Sequence, residues 1–187
     1  MSERPFLPRV TLVLGGARSG KSGHAESLIG TACAAGCYRG ATYVATAEAL
    51  DAEMAARIAE HRRRRGDLWS TVEAPRDLVP ALTAHADPKR PMLVDCLTLW
   101  LSNIIGDSHD ADSEISALVD GLRNLAGPVV LVANEVGLGI VPDNALARTF
   151  RDRAGRLNQR VAELADRVLF VAAGLPLVLK DRDRDKE

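Results

Sequence analysis

Charge of neither sign is in excess in this chain: 24 Lys and Arg stand against 25 Asp and Glu in 187 residues. Such a balance gives no global attraction for nucleic acid or for an acidic membrane. Aromatic residues are scarce at 4%, and the sequence has neither a basic stripe nor an aromatic stacking platform for a nucleic acid. Long apolar runs are also missing. No stretch approaches the roughly 18 residues of a membrane span, and Met1-Ser2-Glu3-Arg4-Pro5 carries no apolar signal region. Cysteine is limited to Cys33, Cys37 and Cys96, which form no C-x-x-C pair and no even framework. They read as reduced thiols in a cytoplasm and support no structural zinc site. The expectation is a cytoplasmic protein without a membrane span or a nucleic-acid partner.

What is present is a phosphate-binding loop. Residues Gly15-Gly16-Ala17-Arg18-Ser19-Gly20-Lys21-Ser22 match G-x-x-x-x-G-K-[ST]. The β-branched run Val10–Leu14 before it reads as a buried strand, and His24–Ile29 after it reads as the start of a helix. Strand, glycine loop and helix in that order is the context the motif requires. Glycines let backbone N–H groups converge on phosphate oxygens at the helix N-terminus. Lys21 supplies a point charge to the β- and γ-phosphates, and the Ser22 hydroxyl can ligate Mg²⁺. The chain is expected to bind a nucleoside triphosphate.

Further strand-like runs follow at Ala41–Thr46, Trp69–Val72, Met92–Val94, Val129–Ala133 and Val168–Ala172. Nearly continuous apolar strands between helices predict a parallel sheet covered on both faces. A last strand, Leu177–Leu179, follows Gly174-Leu175-Pro176 too closely for a helical crossover, so it is expected to be antiparallel. The length suits one domain spanning 1–187, with 1–8 and 181–187 frayed. Lys180–Glu187 reads as a solvated tail, Gly106–Ser113 as a polar surface loop, and Thr31–Gly40 as an irregular loop.

Asp95 ends the strand Met92–Val94, at the edge where open parallel sheets hold ligands. It can hold Mg²⁺ opposite Ser22, directly or through water, or it can simply cap a helix. Glu135 points to the same edge and can bind substrate or activate a hydroxyl. The segment Asp51–Gly66 has Met54, Ile58 and His61 on one helical stripe, with Arg57, Arg62, Arg63, Arg64 and Arg65 around them. Spacing alone leaves two readings open. One is a core histidine beside a solvated, dipole-complementing arginine end. In the other, guanidinium groups hold phosphates facing an imidazole kept neutral by neighbouring positive charge. A neutral imidazole can attack an α-phosphorus and form a phosphoramidate. His24 favours a packing or surface role, and His85 and His109 read as solvated.

Taken together these blocks resemble the bifunctional adenosylcobinamide kinase/adenosylcobinamide-phosphate guanylyltransferase family. The likeness rests on the phosphate loop, Tyr43–Ala47, Asp51–Met54 with Arg57–Arg62, Val94–Trp100, Asn134–Pro142, Phe150–Asp152 and Ala154–Gln159. It implies a RecA-like P-loop α/β fold, with a mostly parallel sheet flanked by helices and the last strand antiparallel. It implies phosphorylation of adenosylcobinamide by ATP or GTP, then transfer of GMP from GTP to adenosylcobinamide phosphate. His61 falls on the family's guanylylated histidine. The nucleotide-contacting segments fall on Gly15–Ser22, on Ala45, Thr46 and Ala47, and on Arg62–Arg65, with Glu73 and Asp95. Mg²⁺ is the implied cofactor, and a homo-oligomer, expected as a trimer, the implied assembly. Gly23 departs from the basic side chain relatives often place there. The competing readings are a P-loop kinase of another small hydroxyl compound, which leaves His61 idle, and a nucleotide-switched module or motor.

Overall fold

The apolar runs form one seven-stranded sheet, in the order β3-β2-β4-β5-β1-β6-β7. The computed structural model describes residues 6–48, 66–106 and 110–182. The strands are β1 (Val10–Gly15), β2 (Ala41–Ala45), β3 (Trp69–Glu73), β4 (Met92–Asp95), β5 (Val129–Asn134), β6 (Arg167–Ala172) and β7 (Leu175–Asp181). All neighbours pair in parallel except β6 and β7. Parallel strands need crossovers; the β2–β3 connection lies mostly outside the described residues, and the described helices lie in the others: α1 (Lys21–Ala34), α2 (Leu78–His85), α3 (Leu97–Gly106), α4 (Ala111–Arg123) and α5 (Ala145–Leu164).

Alternation along the strands divides the core. Leu12, Val44, Val94 and Leu131 face a large cluster built with Trp100, Leu101, Leu118, Leu157 and Val161 from the helices. Val13, Leu93, Val130 and Val132 face the opposite side, against Ala25 and Ile29 of α1. The expected mostly parallel α/β fold with an antiparallel last strand is the one observed. Asp110 caps α4 by accepting from the Asp112 N–H, and Asn144 caps α5 by accepting from the Ala147 N–H.

Four local expectations are corrected. Thr31–Ala34 are not loop but the last turn of α1, whose small residues stay helical until Gly36 takes φ +75°. The Cys37 N–H then bonds Ala32 O and the Gly36 N–H bonds Cys33 O, a Schellman stop. The polar stretch Gly106–Ser113 is shorter than a full loop, because Gly106 still belongs to α3 and Ala111 already begins α4. The last strand is longer than expected: Ala173 and Gly174, both at positive φ, make a two-residue turn, so pairing resumes at Leu175. It also runs on into the supposed tail. Lys180 donates to Ala162 O and Glu163 O, and buried Asp181 accepts from Arg167. At the other end Pro8 is buried and the Leu7 N–H bonds the Tyr38 hydroxyl, so the terminus is packed from there.

Candidate active site

The phosphate loop grows out of β1, which has strands on both sides. Its sharp turn depends on two glycines. A Cβ on Gly15 would lie 2.5 Å from both Val171 O and Ser19 Oγ, so no side chain fits between β1 and β6. Gly20, the residue before α1, sits at φ +96°. The Ser19 N–H bonds Gly16 O at 3.3 Å, and the Gly174 N–H of the β6–β7 turn bonds Ser19 O at 2.8 Å. The loop is thereby braced from inside and from the neighbouring hairpin. Gly16 is half-buried, and Ala17, Arg18 and Gly20 are exposed, with Arg18 at φ +57°.

Lys21 is only 8% exposed, and its ammonium donates to Gly16 O at 3.0 Å. Ser22 is half-buried in the first turn of α1, where unsatisfied backbone N–H groups and the helix dipole favour an anion. Ser19 Oγ is buried without a hydrogen-bond partner. A cradle of N–H donors, a held ammonium and an unsatisfied hydroxyl suits the phosphates of a nucleotide.

Register brings three other sequence-predicted residues into one row. Glu73 lies opposite Ala45, and Ala45 opposite Asp95, at the carboxyl ends of β3, β2 and β4. Asp95 is also level with Val132, which is level with Val13. Val13 and Val132 pack beneath α1, so Asp95 shares the sheet face that carries Ser22. Only β5 separates β4 from β1, a lateral offset of about 10 Å. The Asp95 carboxylate is half-buried and accepts the Tyr43 hydroxyl on Oδ2 at 2.9 Å. Beside it, burial and then the Asp95 charge push the Cys96 thiol up to about 11.

Thr46 is fully buried, and its hydroxyl is spent on backbone. It donates to Cys96 O and accepts from the Cys96 N–H, both at 2.8 Å. Asn103 holds Thr46 O and Pro75 O. The hydroxyl therefore ties the turn after β2 to the turn after β4, and only the flanking Ala45 and Ala47 are half-buried and open to the edge. Glu73 is exposed at the end of β3. Arg76 pairs with Glu48 at the same edge.

Glu135 is half-buried; its Oε1 accepts from the Gly137 N–H at 2.7 Å, and its own N–H bonds Gly15 O at 3.0 Å. It lies beside the phosphate loop. His61, Arg62, Arg63, Arg64 and Arg65 fall outside the described residues, as does His109. Of Asp51–Gly66 only Gly66 is described, opening a short 3₁₀ turn. His85 is exposed. His24 is half-buried, its Nε2 has no hydrogen-bond partner, and burial lowers its pKa.

Two residues at this edge stand in the sequence only inside blocks of resemblance, with no role of their own read from it. Tyr43 reads as one more apolar strand residue, yet its hydroxyl orients Asp95. Asn134, opposite Gly15, keeps a buried Oδ1 without a partner while its N–H bonds Thr98 Oγ1 at 2.7 Å. A polar residue ending an otherwise apolar strand was the available signal.

The donor set near the loop fits a nucleotide-bound Mg²⁺. Such an ion takes few protein ligands and keeps phosphate and water oxygens, and a serine hydroxyl with one carboxylate on a common face supplies that. Among the described residues no cluster of three or more His, Cys, Asp or Glu could hold a metal by itself. No described helix is long and apolar enough to cross a membrane.

Comparison with known proteins agrees with this edge. The chain is 49% identical over 171 residues to the bifunctional adenosylcobalamin biosynthesis protein CobP of Pseudomonas aeruginosa, covering 90% of this chain and 96% of that protein. It is 44% identical over 184 residues to the bifunctional adenosylcobalamin biosynthesis protein CobU of Salmonella typhimurium, covering 90% and 98%. In fold it is similar to the flagellar accessory protein FlaH from Methanocaldococcus jannaschii, with a TM-score of 0.54 at 12% identity over 94% of this chain and 80% of that one. The family model described as cobinamide kinase / cobinamide phosphate guanyltransferase matches residues 11–179. With a phosphate loop, a strand-end carboxylate and this match across nearly the whole sheet, the chain belongs to the cobinamide kinase / cobinamide phosphate guanyltransferase family.

Proposed function

We propose that this chain carries out both reactions at the carboxyl edge of the sheet, using one phosphate loop and the His61 imidazole. The observation that carries this reading is the braced Gly15–Ser22 loop with Asp95 on the same sheet face. In the first reaction the hydroxyl oxygen of the aminopropanol arm of adenosylcobinamide attacks the γ-phosphorus of ATP or GTP. The nucleoside diphosphate leaves and the hydroxyl proton passes to solvent or to a carboxylate, for which Glu135 is the candidate. Lys21 and the α1 N-terminus stabilise the charge on the phosphoryl oxygens. Ser22 and Asp95 are the residues that would hold Mg²⁺, which when bound neutralises charge on the phosphate oxygens.

In the second reaction a neutral His61 nitrogen attacks the α-phosphorus of GTP, and pyrophosphate leaves. The phosphate of adenosylcobinamide phosphate then attacks the same phosphorus, releasing the histidine and forming adenosylcobinamide-GDP. Arg62, Arg63, Arg64 and Arg65 hold phosphates beside His61. Backbone of Ala45–Ala47, with Glu73, completes the nucleotide contacts. The chain acts as a single cytoplasmic nucleotide-binding domain and assembles as a homo-oligomer, a trimer. Support for assembly comes from the edge strand β7, which exposes Leu175, Leu177, Val178 and Leu179.

The test is incubation with GTP labelled at the α-phosphorus, then with adenosylcobinamide phosphate. Acid-labile, alkali-stable label on the protein, chased into adenosylcobinamide-GDP, is the expected result. Phosphorylation without any protein-bound label would favour a simple kinase.

A further inference from the structure

The loop between β5 and α5 carries an apolar surface that nothing in the chemistry above uses. Leu138 is 81% exposed, Ile140 97%, Val141 59% and Leu146 69%. Scattered exposed apolar residues are ordinary; four within nine residues of one loop and helix start are not.

These side chains are held outward by a built frame. At the loop's start, Val136 packs against the core and the Gly137 N–H is tied to Glu135 Oε1. At its end, the Arg148 guanidinium donates to Pro142 O at 2.9 Å and to Asp143 O at 2.7 Å. Both feet are fixed, so the apolar residues between them stay on the surface.

The loop's place in the fold names its occupant. Asn134 pairs with Gly15, and the Glu135 N–H bonds Gly15 O. Four residues of chain cannot carry Leu138 further than about 14 Å from Asn134. The apolar surface therefore begins within that distance of the strand end that pairs with the first residue of the phosphate loop. A phosphoryl acceptor with a small polar body would have no use for it. A cobinamide has a broad macrocycle with apolar faces and a fringe of amides, and its hydroxyl hangs on a flexible arm. That ligand needs an apolar platform within arm's reach of the γ-phosphate, with polar groups only at the rim.

We infer that Leu138, Ile140 and Val141, with Leu146 beside them, form the platform on which the corrin macrocycle of the acceptor rests while its hydroxyl arm reaches the phosphate loop. This deepens the functional reading above and rests on it.

The experiment measures cobinamide binding without nucleotide by equilibrium dialysis, following the colour of the corrinoid. It compares wild type with Leu138→Ser, Ile140→Ser and the size-conserving Ile140→Leu. In parallel, binding of a non-hydrolysable GTP analogue and the sedimentation coefficient are recorded. Each serine variant is expected to weaken cobinamide binding about tenfold or more. Ile140→Leu should stay near wild type, and analogue affinity and assembly should not change. Unchanged cobinamide affinity in both serine variants would overturn the platform. So would serine variants that fall apart into smaller species, since the surface would then belong to a second copy of the chain. If the wild-type protein binds the analogue but no cobinamide, the functional reading falls first and the platform with it.

Discussion

The Tyr43 hydroxyl donates to Asp95 Oδ2 at 2.9 Å across the β2–β4 pair. One carboxylate oxygen is thereby fixed by a neighbouring strand. Groups that orient a metal-binding carboxylate commonly matter 10- to 100-fold. Tyr43→Phe should therefore raise the Mg²⁺ concentration needed for half-maximal turnover by about tenfold, with little change in fold. Asp95→Asn should impair Mg²⁺-dependent turnover more than metal-free nucleotide binding. Both are read from turnover against Mg²⁺ concentration; an unchanged curve for Asp95→Asn would leave Asp95 as a helix cap.

Lys21→Ala removes the ammonium that the loop holds in place. Because one loop serves both reactions in the proposed scheme, phosphoryl and guanylyl transfer should fall together, each by about 100-fold or more at low nucleotide concentration. Near-normal rates in either assay would show that reaction to use a different nucleotide site.

The reason so much of this edge is legible in sequence is that its parts are short and local. A phosphate loop, a buried strand before it and an Asp after Met92-Leu93-Val94 each carry their own signal. What periodicity misses are contacts made across strands. Tyr43 looks like core until its hydroxyl is seen on Asp95, and the Thr46 hydroxyl looks available until it is seen on Cys96. The extended last strand was obscured by Pro176, which breaks the run of apolar residues but sits on an edge strand where it is tolerated. Lys180 was misread as tail because its charge signals solvent, whereas its ammonium caps the carbonyls ending α5.

That cap is testable. A cation on the last carbonyls of a helix is worth roughly 1 kcal/mol. Lys180→Met should lower unfolding stability by about that amount without altering either activity, as measured by urea denaturation. No loss would mean that the contact is matched by water in solution.

Cys96 sets a pH dependence. Its folded pKa is raised from 9.0 to about 11, first by burial and then by the Asp95 charge. A group whose folded pKa is raised contributes fully below its unfolded pKa and loses that contribution as pH rises through the folded value. Stability should therefore fall between about pH 9 and 11, by at most roughly 3 kcal/mol. The difference between wild type and Cys96→Ala in denaturant unfolding isolates this group from the other titrating side chains. A difference that stays flat across the range would show that the thiol is not shielded. At pH 8 the same burial should leave Cys96 unalkylated by iodoacetamide in the folded protein.

The decisive prediction concerns His61. Replacing it with Ala or Asn should abolish guanylyl transfer and leave phosphorylation of adenosylcobinamide substantially intact. Phosphoryl transfer to a hydroxyl depends on positioning and charge stabilisation, which the Gly15–Ser22 loop supplies without an imidazole. Guanylyl transfer through a covalent intermediate requires a nucleophile, so its loss removes the route instead of slowing one step. Two assays on folded variant protein separate the cases: adenosylcobinamide phosphate formed, and GMP bound to protein after treatment with GTP. Undiminished protein-bound GMP would assign the nucleophile elsewhere. Equal loss of both activities would make the histidine structural, and the phosphoramidate route would then have to be abandoned.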